Sequence, residues 1–154
     1  MSSSRPLTPG EIALAASIFG AAVDTACVRI VRAKWAFFQP RETVMAPCGN
    51  IHFHPAGSHY RDDFAAADLG AQGLFIHEMT HVWQAQTRGR FYLPLMRHPF
   101  CSYAYRWRPG QPFERYGLEQ QAEIVRHAFL LRRGMRLPDK PPLEIYEALL
   151  PFAL

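Results

Sequence analysis

Apolar and polar residues follow two different rhythms along this chain, and the changes of rhythm mark its elements. In "TPGEIALAASIFGAA" the residues Ile12, Ala15, Ala16 and Phe19 recur at helical spacing, so residues 9–20 carry one apolar face. Thr8 and Glu11 form a T-x-x-E capping box, and Pro9 suits the first turn, so a helix begins there. The period shortens to two in "CVRIVRA", where apolar and basic residues alternate as in a strand. "ETVMAPCGNIHFHP" reads as two short strands about a turn built by Pro47, Gly49 and Asn50. Ile51 and Phe53 then share one face and His52 and His54 the other. Helical spacing returns over residues 71–87, with Phe75, Met79 and Val82 as packing positions and Gly89 as the stop. It returns again over residues 114–133, ended by Gly134. Between these helices, Pro94, Pro99, Pro109 and Pro112 forbid a long helix, and residues 90–113 are expected to form an ordered excursion. "PDKPP" is a turn, and "LEIYEALL" a short terminal helix. Residues 1–7 show no period and are expected to be a loose, flexible lead-in. The order helix, strands, helix, excursion, helix gives the α+β class in a single domain spanning residues 1–154.

Composition narrows this picture. With 49% hydrophobic and only 19% charged residues, the chain can bury a core and is unlike a disordered segment. No apolar run approaches the ~18 residues of a membrane span, so no membrane partner is expected. The start, "MSSSRPLTPGE", lacks the basic-then-apolar order of a signal peptide. Cytoplasmic synthesis is therefore expected, with any export using a route that ignores the N-terminus. The net charge of +4 is carried by scattered arginines. Their densest group, "LLRRGMR", falls at a helix C-terminus, where cations offset the helix dipole; a nucleic-acid partner is not expected. Cys27, Cys48 and Cys101 are an odd, widely spaced set that gives neither a disulfide framework nor a metal-binding pair.

The chemistry concentrates in "FIHEMTHVWQ". His77 and His81 are one helical turn apart and can aim imidazole nitrogens at one ion; zinc accepts such nitrogens at about 2.0–2.1 Å. Glu78 projects from the edge of the same face, within reach of a water on the metal but not placed as a ligand, and fits the role of catalytic base. Two histidines and a glutamate also make a poor core face unless a polar group occupies it. A catalytic zinc site wants a third protein ligand. The H-E-x-x-H-x-x-G-x-x-H version fails, because Gln84 and Thr87 stand at the required places. The later helix offers Glu119 and Glu123, one turn apart on one face. The assignment adopted is Glu119 as ligand and Glu123 as acceptor of the outer N–H of a ligating histidine, with the reverse left open.

"HEMTHVWQ" together with "EQQAE" resembles the Glu-ligated zincin metallopeptidases, and more narrowly the small Vgr-related and Rhs-associated metallopeptidases of bacteria, whose relatives are attached to contractile injection systems. "RPLTPGEIALA" and "HYRDDF" share the likeness, which is loose over residues 90–113. The resemblance implies a minimal zincin-like fold, a small mixed sheet packed on the H-E-x-x-H helix and on a second, glutamate-bearing helix. It implies Zn2+ held by His77, His81 and Glu119, with Glu78 as base. Glu-ligated zincins usually carry Asp one turn after the ligand, where this chain has the longer Glu123.

Tyr103, Tyr105, Tyr116 and His127 are candidate donors to a developing oxyanion. Tyr116, one turn before Glu119, is the candidate transition-state stabiliser. His52, His54 and His59 are read as solvated rather than as a second metal site, and the strand at 51–54 as the edge running along the cleft. The resulting reading is a zinc-dependent hydrolase, most simply a metallopeptidase acting on a peptide or protein, peptidoglycan peptides included. It would be an effector or processing enzyme partnered by a Vgr/Rhs-like secretion apparatus and exported by a contractile, type VI-like route. The alternative is a catalytically silent zinc-bearing adaptor of a secretion or phage-like particle.

Overall fold

A computed structural model of the chain describes residues 3–96 and 101–153. Its described elements run β1 (Ser3–Pro6), α1 (Pro9–Phe19), β2 (Arg29–Arg32), β3 (Ile51–His52), α2 (Leu69–Arg88), α3 (Tyr92–Met96), α4 (Leu118–Arg132) and α5 (Leu143–Leu149). The fold is mixed α+β. One three-stranded sheet has the order β1-β2-β3, antiparallel on one side and parallel on the other.

The start of the chain differs from the loose lead-in expected of it. Residues 3–6 form a strand that pairs with β2 from Ser3↔Arg32 to Pro6↔Arg29. The reason lies outside the segment. Glu11, fully buried, accepts from both Arg5 Nη atoms (2.8 Å each), from Thr8 N (2.8 Å) and from Phe64 N (3.0 Å). One carboxylate thus closes the capping box of α1 and ties β1 to the turn at Phe64–Ala66.

α2 is capped by Asp68, whose Oδ1 accepts from Ala71 N (3.0 Å), and stops at Gly89, where φ is +97°. Its apolar stripe of Phe75, Ile76, Met79 and Val82 is fully buried. Phe53, Phe64 and Phe75 stack in series, with centroids 5.4 Å apart at each step. The opposite stripe of α2 packs on α4, and Gly73 permits this approach: a Cβ there would meet Leu130 Cδ2 at 3.2 Å. α4 starts four residues later than its sequence pattern suggests, because Phe113–Arg115 forms a separate turn and Gly117 is the cap, its N–H donating to Gln120 Oε1 (2.9 Å). The excursion contains the five-residue α3, which accommodates Pro94 in its first turn. Residues 97–100, including Pro99, lie outside the described residues.

The strand expected at 51–54 is short and is not the outermost segment. Met45 bridges His52, with Met45 N donating to His52 O (3.1 Å) and His52 N to Met45 O (2.7 Å). Residues 42–45 therefore lie outboard of β3. Among the described residues, no helix is long and apolar enough to cross a membrane.

Candidate metal centre

α2 and α4 meet through their polar stripes, and the residues there are among the most enclosed in the chain. His77 and Glu78 are 5% exposed, His81 3% and Glu119 1%. Nε2 of His77 lies 3.2 Å, and Nε2 of His81 3.0 Å, from the same Glu119 Oε2. One ligand atom from each of the three residues lies within 4.8 Å of the others, the sole such group among the described residues.

The outer nitrogens decide what the inner ones can do. His77 Nδ1 donates to Glu123 Oε1 (2.7 Å). His81 Nδ1 faces Gln84 Oε1 at 2.8 Å. The orientation of Gln84 is fixed from behind: its Nε2 donates to Leu118 O and to Gln121 Oε1 (3.0 Å each), and Gln121 Nε2 donates in turn to Tyr116 O (2.9 Å). Both Nδ1 atoms therefore carry hydrogens, and in the neutral rings both Nε2 atoms present lone pairs to a carboxylate oxygen. Three electron-rich atoms facing one point inside a protein call for a cation between them or a proton on a ring. In the metal-free protein the proton is favoured. Burial pushes His77 down, but hydrogen bonds to Glu119 and Glu123 and the charge of Glu78 outweigh it and hold the pKa up at about 9. The donor set of two imidazoles and a carboxylate, with both rings locked from outside, fits a zinc ion with an open position.

Glu78 lines an open cleft with His77, Glu123, Arg126, Leu74 and Tyr103, whose far wall is Glu42, Thr43 and Val44. The wall is thus the outboard 42–44 segment, not residues 51–54. Tyr103, half exposed, stacks over His77 with centroids 6.0 Å apart and planes 20° off parallel. Glu123 bridges His77 Nδ1 (2.7 Å), Arg126 Nη1 (3.4 Å) and His127 Nε2 (3.5 Å). Burial would raise its pKa, but the bond to His77 and the neighbouring charges hold it below the usual carboxylate value.

Tyr116 sits elsewhere. It follows the Phe113–Arg115 turn in extended backbone, so helical phasing with Glu119 does not apply to it. Its hydroxyl accepts from Arg108 N (3.2 Å), and it lines a second cavity, with Trp83, Gln84 and Gln121, that shares no residue with the cleft. His54 Nδ1 accepts from Ala56 N (3.1 Å) and His59 lies 3.6 Å from Glu42, so the three histidines at 52–59 form no cluster. Gln84, which holds the His81 ring, is a functional residue that the H-E-x-x-H spacing does not include. Its place three residues after His81, on the same helix face, was the available signal.

No family model matches the chain. Over 134 residues it is 41% identical to the type VI secretion system spike protein VgrG2b of Pseudomonas aeruginosa, covering 82% of this chain and 13% of that protein. The solved effector domain of Pseudomonas aeruginosa VgrG2b is similar with a TM-score of 0.72 and 38% identity, covering 85% of this chain and 76% of that one. The chain belongs to the VgrG2b effector-domain family. The expected kinship with Vgr-related proteins holds at that level, and the likeness reaches most of the chain. The chain spans only 13% of the spike protein's own length.

Proposed function

We propose that this effector-family chain is a zinc-dependent peptidase with a zincin-type centre, in which His77, His81 and Glu119 hold the metal. The observation that carries the reading is the commitment of both Nδ1 atoms to outside acceptors, which leaves two Nε2 atoms and Glu119 Oε2 converging in a buried pocket. Zinc bound there supplies an acidified water and a Lewis acid for a scissile carbonyl. Glu78, on the cleft wall, takes the proton of the attacking water on a carboxylate oxygen and delivers it to the departing amine. Glu123 and Gln84 hold the two imidazoles in one tautomer throughout.

The far wall supports a peptide as substrate. Met45 directs its own N–H and C=O at His52, so alternation aims those of Val44 away from β3, toward the cleft that Val44 lines. An extended peptide can pair with that edge across from Glu78. Peptide or protein, peptidoglycan peptides among them, is the substrate class. Because the relative is a spike protein of a type VI secretion system, we read this chain as the effector part of such an apparatus, exported by it and partnered with its spike.

Elemental mass spectrometry of untagged wild type and Glu119→Ala tests the centre. About one zinc per wild-type chain, sharply reduced in the variant, is expected. Absence of zinc after reconstitution refutes it. Peptide hydrolysis lost in Glu78→Gln at unchanged zinc content supports the enzyme. Full zinc with no hydrolysis of any peptide in either form favours the adaptor reading.

A further inference from the structure

Glu123 is backed by a series of polar contacts that reaches the C-terminal helix, hydrogen-bonded from Tyr146 to His127 and completed by a longer approach of His127 to Glu123. Tyr146 of α5, 1% exposed, has its hydroxyl 2.5 Å from the hydroxyl of Tyr105 in the excursion. Tyr105 Oη lies 2.6 Å from His127 Nδ1. His127 Nε2 faces Glu123 Oε2 at 3.5 Å, and Glu123 Oε1 accepts from His77 Nδ1 at 2.7 Å. Three parts of the chain, α5, the excursion and α4, which supplies both His127 and Glu123, thus contribute four groups before the series ends on a candidate metal ligand of α2.

The protons can be placed. A neutral imidazole has one N–H and one acceptor nitrogen. His127 faces a carboxylate with Nε2, so the hydrogen sits there and Nδ1 accepts from Tyr105. Tyr105 has then spent its single hydrogen, so Tyr146 donates to Tyr105. Every hydrogen points inward, toward Glu123. The environment keeps these states. Burial lowers the His127 pKa to about 4, overriding Glu123, so the ring is neutral near pH 7. Burial and the contact with Tyr146 raise that of Tyr105, so its hydroxyl stays a donor.

Resting on the zinc reading above, we propose that His127 and Tyr105 are positioning residues of the metal centre: through Glu123 they fix the orientation and tautomer of His77, and they make zinc affinity depend on the excursion and on Tyr146 of α5. Neither belongs to the group of converging ligand atoms, and neither lines the cleft. Without them, Glu123 keeps only His77 and the more distant Arg126 (3.4 Å) and can swing toward solvent on its half-buried stem. His77 then loses the acceptor that holds its Nε2 on target.

Zinc affinity of the full chain, measured by competition with a chromophoric chelator, tests this alongside the thermal midpoint of the metal-free protein. Tyr105→Phe and His127→Leu are expected to weaken zinc binding about tenfold, the low end for outer partners of metal ligands. His127→Gln keeps an oxygen for Tyr105 and an N–H for Glu123, and is expected to stay within about threefold of wild type. Tyr146→Phe leaves the histidine intact and is expected to show a smaller loss in the same direction. A lowered metal-free midpoint with unchanged zinc affinity in Tyr105→Phe and His127→Leu overturns the proposal, since a merely structural role gives that result. Should His127→Leu fail to fold, the comparison of Tyr105→Phe with wild type decides alone. Wild type that binds no zinc sinks the metal reading itself, a different result from equal affinities.

Discussion

Gln84→Leu isolates the other locked imidazole. The substitution keeps roughly the side-chain volume and removes three polar contacts: acceptance from His81 Nδ1 (2.8 Å) and donation to Leu118 O and Gln121 Oε1 (3.0 Å each). Gln84 is 2% exposed, so water does not replace them. Leu118 O belongs to the first turn of α4 and keeps its place in the helical ladder, so its loss costs little. His81 Nδ1–H and Gln121 Oε1 are left buried and unmade, at roughly 1–3 kcal/mol each, which the added apolar contact offsets only in part. The expected loss in the metal-free protein is about 2–4 kcal/mol, or a midpoint lower by about 4–16 °C for a chain of this size. Zinc affinity should fall by about 10–100-fold as well, because His81 loses the partner that fixes its tautomer. Urea denaturation of chelator-treated protein gives the first quantity and chelator competition the second. A stability within about 0.5 kcal/mol of wild type together with unchanged zinc affinity would refute the argument.

Glu78→Gln is expected to keep zinc and to lower peptide hydrolysis by at least about 10²-fold, checked by elemental analysis and a peptide-cleavage assay on the same preparation. Glu11→Ala strands Arg5, Thr8 N and Phe64 N in a buried corner, so a loss of about 3–5 kcal/mol is expected by chemical denaturation, with hydrogen exchange rising first in Ser3–Pro6. The metal-free protein is expected to lose stability as pH rises from about 6.5 to about 9. The His77 pKa is raised from 6.5 to about 9 on folding, so its contribution is complete below 6.5 and gone above 9. Denaturation across that range reads the slope, and saturation with zinc should flatten it; a flat metal-free profile contradicts the account.

What the sequence determined by itself was local. His77 and His81 share a face because residues four apart on one helix must, and Glu119 and Glu123 share one for the same reason. The T-x-x-E box fixed the start of α1 within eleven residues of its end, and Gly89 and Gly134 marked the stops of α2 and α4 because few other residues take positive φ there. These are constraints between near neighbours, written in spacing and residue type. What only the tertiary structure decided involves partners far apart in the chain. Ser3–Pro6 has no alternating pattern and becomes a strand because β2 offers an edge and Glu11 holds Arg5. The cleft wall falls to residues 42–44 because Met45, rather than solvent, covers the free side of His52. Gln84 was visible as a residue but not as a ring holder, since that role needs Gln121 and Leu118 behind it. Tyr146, Tyr105, His127 and Glu123 form a series only once α5 and the excursion have packed on α4. A hydrogen bond across a tertiary contact leaves no periodicity in the sequence, because the separation of its partners is set by the path of the chain between them rather than by the pitch of one element.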